Sequence, residues 1–220
     1  MKYLLLLLTV VAGTVEAVSY LALGHVFVVN MTGNVVFLGF AAAGAPGVSL
    51  DATVIALAAF VIGSAVGGRI GRRLGTRHGR LLVVATTLKL ALVAAALLAA
   101  LGHAEPLDGT PRDLVIALLA LAMGIQNTTA RLIGYPDLTT TVLTMTLTAI
   151  GADSPLGGGT TVRLGRRLAS LAAMLGGAFL GALILIRVGI AAALAVTLIL
   201  LALTTFASYR FVPEPETAAT

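Results

Sequence analysis

Apolar residues run through this chain in blocks of near-membrane length, separated by short polar punctuation. Leu4–Leu23, Thr53–Ile70, Leu81–Leu101 and Leu114–Thr129 all come close to the ~20 residues that cross a hydrocarbon core of about 30 Å. Leu168–Ile186 and Gly189–Tyr209 follow, so the pattern predicts six transmembrane helices. Two further apolar pieces, Thr32–Ala43 and Leu138–Ile150, have only 12 and 13 residues. At 1.5 Å per residue they reach roughly 20 Å, too short to cross comfortably.

The short pieces occupy corresponding places, each directly after the first long span of its half. Their openings align, "MTGNVVF" at Met31–Phe37 against "LTTTVLT" at Leu138–Thr144, and the next helices share paired glycines, Gly63 and Gly67 against Gly177 and Gly181. This order predicts a single transmembrane domain over residues 1–212, with a pseudo-repeat of 1–104 and 105–212. The Pro- and Glu-bearing tail, 213–220, reads as disordered.

Charge decides whether the short pieces span. If all eight segments crossed, fixing the arginines at 69, 72, 73, 77 and 80 inside would put Lys2, Arg112, Arg163, Arg166, Arg167 and Arg210 outside. That breaks the positive-inside rule. If the short pieces are re-entrant, Lys2, the five loop arginines, Arg131, Arg163, Arg166, Arg167 and Arg210 all fall inside, with Arg112 and Arg187 outside. Each half then has three crossings, an odd number that inverts one half relative to the other. The expected fold is an all-α polytopic membrane protein: six transmembrane helices plus two short re-entrant half-helices in two inverted repeats, both termini cytoplasmic.

Composition agrees, with 59% hydrophobic and 10% charged residues against roughly 25% charged in soluble domains. The mean hydropathy is +1.06. The net charge of +5 sits in clusters beside apolar spans without aromatic platforms, which points to topology and away from nucleic acid. There is no cysteine, and His25, His78 and His103 are scattered, so neither a metal nor another cofactor is expected. The opening "MKYLLLLLTVVAGTVEA" imitates a secretory leader, with small residues Val15 and Ala17. The apolar run continues to Leu23, however, and favours an uncleaved first helix.

The candidate chemistry lies where the apolar pattern breaks. Non-helical backbone at membrane depth must be buried in protein or line a watery cavity, so Gly24–Asn30 and Gly134–Asp137 are expected inside. Helix-start residues follow each: Asn30, Thr32 or Asn34 in the first, Asp137 or Thr139 after Pro136 in the second. Two half-helices starting near mid-bilayer would aim free amides and positive dipole ends at a common centre. The candidate solute-binding residues are Thr32, Gly33, Asn34, Gln126, Asn127, Asp137, Thr139, Thr140 and Thr141. The alternative is that these polar groups only cap helices and bond between them.

Glu16, the lone charge of its span, is the candidate proton-coupling group, with Ser19 and Tyr20 on the same face to orient it. Lys89 and Arg131 are candidate charge partners; a snorkelling Lys89 and an anchoring Arg131 are the alternatives. His25 reads as structural. The glycines 63, 67, 177 and 181 read as a packing surface that permits close helix approach, within the chain or between copies in a homo-oligomer.

The blocks "NMTGNVVFLG", "MGIQNTTAR", "DLTTTVLTMTLT" and "RRLASLAAMLGGAFLGA", in this order, resemble the YoaK family of small bacterial inner-membrane proteins, a domain-of-unknown-function family. The resemblance implies a multi-pass inner-membrane protein and brings no established substrate. The sequence therefore supports a secondary transporter of a small polar or anionic solute, proton-coupled through Glu16, with lipid and solute as partners. The competing classes are a channel of the same fold and a non-transporting scaffold or regulatory protein. An enzyme is not expected: there is no HExxH, GxSxG or pair of intramembrane aspartates.

Overall fold

The computed structural model describes residues 2–103, 105–134, 143–159 and 164–211. Six long helices form from the six apolar blocks: α1 (Lys2–Ala22), α3 (Leu50–Leu74), α4 (His78–Ala100), α5 (Gly109–Ile133), α7 (Leu164–Val188) and α8 (Ile190–Phe211). All six are long and apolar enough to cross a membrane. Two short helices, α2 (Met31–Ala42) and α6 (Leu143–Ala152), fall where short pieces were expected. No strand occurs among the described residues.

Several helices outrun the apolar blocks that announced them, because polar caps extend them past the hydrocarbon. The Ser49 side chain accepts the Ala52 amide at the start of α3, and Arg72 and Arg73 favour the negative end of its dipole. Gly71 consequently lies in α3, not in the loop that follows. Asp108 accepts the Gly109 amide at the start of α5, and Gly134 closes that helix in the left-handed conformation that glycine tolerates.

Glycines set the main contacts. On α3, Gly63 lies against Leu121 of α5, Gly67 against Ile125 and Thr128, and Gly71 against Leu132. On α7, Gly177 lies against Val10 of α1 and Gly181 against Thr14 and Ala17, while Gly13 of α1 and Gly124 of α5 complete the two crossings from the other side. A Cβ at Gly63 or Gly177 would strike backbone, so only glycine allows these approaches. The glycine faces expected to permit close helix approach, within the chain or between copies, do so within the chain.

These contacts fix direction. Rising numbers on α3 meet rising numbers on α5, and the same holds for α7 and α1, so each pair is parallel. The Ile190 amide at the start of α8 donates to Glu105, just beyond the end of α4, at 2.8 Å. The Gly24 turn after α1 lies against Arg112 at the start of α5. Hence α1, α4 and α7 run one way and α3, α5 and α8 the other. Lys2, Arg69, Arg72, Arg73, Arg77, Arg80, Arg131, Arg166, Arg167 and Arg210 consequently gather toward one face, with Arg112 and Arg187 toward the other.

α1 and α5 form the centre, with 67% of each span buried against 17–39% for the others. A core of Leu8, Val11, Val15, Leu82, Ile116, Leu119, Met123 and Leu194 joins them to α4 and α8. Val26, Val28 and Val29, from the non-helical chain after α1, belong to the same core.

Candidate functional site

The chain between α1 and α2 turns back into the protein through Gly24 and His25, both with positive φ. It then runs on without helix, bending at Val28 and Val29, until it meets Glu16 of α1. There the Glu16 carboxylate accepts three main-chain amides, Val28 at 3.1 Å and Val29 at 3.0 Å on Oε2 and Asn30 at 3.1 Å on Oε1. Irregular backbone buried here has no helix or strand to pair with, and an unpaired buried amide costs about 1–3 kcal/mol. The carboxylate meets that need. Ser19 donates its hydroxyl to the Glu16 carbonyl at 3.1 Å, while Tyr20 stacks on Phe27 with centroids 5.0 Å apart.

Asn34 secures the other end of the break. Its Oδ1 accepts the Phe27 amide at 2.9 Å and its Nδ2 donates to the Phe27 carbonyl at 2.5 Å, with the side chain fully buried. Both polar ends of the amide are thereby spent on main chain. Gly33 leaves room for the Phe27 ring, which lies between Tyr20 and Phe37 in one stacked column. Among the described residues no side chain caps α2, so none of them closes off the first amides of this helix.

Two adjoining cavities, of about 230 and 530 Å³, open at this break. The smaller is lined by Glu16, Phe27, Val29, Asn30, Leu143, Thr144 and Met174. The larger touches Phe27, Asn30, Thr32, Gly33, Phe37 and Thr144, among others. Phe27, Asn30 and Thr144 line both. The starts of α2 and α6 therefore face a common space, with Glu16 of α1 and Met174 of α7 in its wall.

The described residues of that space are apolar and polar in mixture, inside a bundle whose length, direction and hydropathy are those of a multi-pass membrane protein. Residues 4–207 match the family model described as "Protein of unknown function (DUF1275)". The chain belongs to that family. The "UPF0700 transmembrane protein YoaK" of Bacillus subtilis (strain 168) is 36% identical over 150 residues, which is 68% of this chain and 65% of that protein. The chain thus matches just under two thirds of the length of this relative. No solved structure matches.

In this DUF1275 chain the expected site residues separate into three groups. Glu16, Thr32 and Gly33 line the cavities, while Asn34 lies behind them as a clamp. Gln126 lies elsewhere, on the α4 side of α5, where the Lys89 ammonium donates to its Oε1 and its own Nε2 donates to the Leu8 carbonyl at 3.3 Å. Lys89 is fully buried rather than snorkelling, and it bonds to Gln126, not to Glu16. Asn127 is buried on α5 and Arg131 is exposed at the end of that helix. Asp137, Thr139, Thr140 and Thr141 lie outside the described residues.

Phe27, Phe37, Leu143, Thr144, Met145 and Met174 line the cavities and were not singled out by sequence. One signal was available for Phe27: it stands inside the polar interruption, where an aromatic ring has no helix to pack with. Arg167, which donates to the Ala149 carbonyl at 2.9 Å and pairs with Asp153 at 2.7 Å, anchors the end of α6 to α7. A cation there complements the negative end of the α6 dipole.

Proposed function

We propose that this protein is a secondary transporter of a small polar or anionic solute, bound in the space between the starts of α2 and α6. The observation that carries the reading is the shared cavity at which both short helices begin, lined by Asn30, Thr32, Gly33 and Thr144. Open amides and hydroxyls at mid-bilayer suit a polar solute group, and Phe27 and Phe37 supply apolar wall.

The two halves are read as inverted repeats, and α2 and α6 as re-entrant. Helix direction supports this, since α1, α3 and α4 run opposite to α5, α7 and α8 in turn. Contact register supports it too: Val10 and Thr14 stand to Gly177 and Gly181 as Leu121 and Ile125 stand to Gly63 and Gly67. The cation-rich face is assigned to the cytoplasm of a bacterial inner membrane by the positive-inside rule, which places both termini there. Rocking one half against the other would expose the cavity to each side in turn.

Glu16 is the proposed proton-coupling group. Protonation would turn one acceptor oxygen into a donor and release part of the Val28–Asn30 chain from α1. The solute site would then change shape with proton occupancy.

The test uses the absence of cysteine from the sequence. Thr32→Cys and Thr144→Cys, in vesicles of each orientation, are treated with a membrane-impermeant thiol reagent. Labelling of both positions from either side, at rates that depend on a proton gradient, is expected. Labelling from neither side in folded protein refutes the transporter; unchanged labelling in Glu16→Gln refutes the coupling alone.

A further inference from the structure

The turn that joins α3 to α4 concentrates positive charge on the cation-rich face. Arg69, Arg72, Arg73, Arg77 and Arg80 fall within twelve residues and are all exposed. Between Asp51 and Glu105 the sequence contains no carboxylate, and those two acids stand at the far ends of α3 and α4. Among the described residues Arg69, Arg72, Arg73 and Arg77 have no carboxylate partner; Asp108 and Asp113 pair with Arg112, and Asp153 with Arg167. Orientation in the membrane does not call for so many cations at one corner, since α5 and α8 end on the same face with one each in the last turn, Arg131 and Arg210. Arg69 also stands three and four residues before Arg72 and Arg73, spacings at which like charges weaken a helix.

Two of these arginines continue an apolar stripe. Val54, Ala58, Val61, Ala65, Arg69 and Arg72 recur every three or four residues and share an exposed face of α3. Gly63, Gly67 and Gly71 occupy the opposite face, against α5, so the stripe is turned to lipid. At Gly68 a Cβ would stand 3.6 Å from Arg72 Nη1, which shows the guanidinium folded back along α3, one turn nearer the hydrocarbon.

We propose that this corner binds an anionic phospholipid, its phosphate on Arg69 and Arg72 and its acyl chains along Val54, Ala58, Val61 and Ala65. Guanidinium groups present paired N–H donors that match phosphate oxygens, and the phosphate charge relieves the repulsion between the arginines. Free phosphate would meet the arginines but leave the apolar stripe unused. A second copy of the chain on this face would set like charge against like.

The test is thermal unfolding of the full chain in neutral detergent micelles, with dioleoyl phosphatidylglycerol or dioleoyl phosphatidylcholine added at equal mole fraction. A saturating rise of the midpoint with phosphatidylglycerol, absent with phosphatidylcholine and with glycerol 3-phosphate in solution, is expected. Arg69→Gln with Arg72→Gln should raise the half-saturating lipid fraction about tenfold or more, the worth of two cations at an anionic surface. Arg69→Lys with Arg72→Lys should fall between, because the charge returns without the fork. Lys2→Gln with Arg210→Gln removes the same charge from the same face and should leave the lipid response unchanged. Identical curves with the two lipids would overturn the proposal, as would an equal rise with glycerol 3-phosphate. Equal weakening in the two glutamine pairs would overturn it too, since the attraction would then be diffuse. No readout here involves a solute or its transport, so the transporter reading is left to its own test.

Discussion

Replacing Glu16 by alanine removes the acceptor for three main-chain amides without touching the backbone that carries them. Val28 and Val29 are 0% and 1% exposed, so their amides cannot turn to water in the folded protein, whereas Asn30 is exposed and rehydrates. At about 1–3 kcal/mol per stranded amide, the loss comes to about 2–6 kcal/mol. It falls on the local opening of the Gly24–Asn30 segment before it falls on the whole bundle. Since each 1.4 kcal/mol is a factor of ten, amide hydrogen exchange at Val28 and Val29 should accelerate by roughly 30-fold to 10⁴-fold. Glu16→Gln keeps one acceptor oxygen and should give an intermediate acceleration. Exchange resolved to single residues in detergent-solubilised protein is the assay, with α8 amides as internal reference. Unchanged protection at both valines in Glu16→Ala would refute the reasoning, because it would mean that the carboxylate does not hold this chain.

Asn34→Leu preserves bulk but strands the amide and carbonyl of Phe27; it should lower thermal stability by about 2–4 kcal/mol and abolish a specific Phe27 exchange protection, read in the same experiment. Gly177→Val puts side chain against the Val10 backbone and should prevent α1 and α7 from packing, whereas Gly176→Val, with open space around it, should leave the monodisperse elution profile unchanged. Glu105→Ala takes the acceptor from the first amide of α8 and should cost about 0.5–2 kcal/mol in thermal unfolding, and Glu105→Gln should restore part of it.

Hydropathy located the six long helices because lipid demands an apolar exterior, but their ends were set by groups that hydropathy counts as interruptions. Ser49, Arg72, Arg73 and Asp108 extend α3 and α5 beyond the apolar blocks. The importance of Glu16 was legible, since a charge in an apolar span needs a reason. Its partners were not, because Val28, Val29 and Asn30 contribute main-chain amides, which carry no residue code. Likewise Asn34 stood out as polar, yet only the folded chain shows it bonded to Phe27. Gln126 could not be separated from the cavity residues by sequence, since its partner Lys89 lies on the preceding helix and its second contact, Leu8, on the first.

The exchange of partners between halves bears on how the protein is made. α1 emerges from the ribosome well before α7, the helix whose glycines fit it, because three other long spans, α3, α4 and α5, are synthesised between them. Until then α1 stands in the bilayer with its Gly13 groove uncovered, and α5, on arrival, finds α3 already waiting. Assembly therefore closes the second crossing first and the first crossing last. A nascent chain halted after α5 would hold one finished glycine seam and one open one, and it is the open seam that membrane quality control would meet.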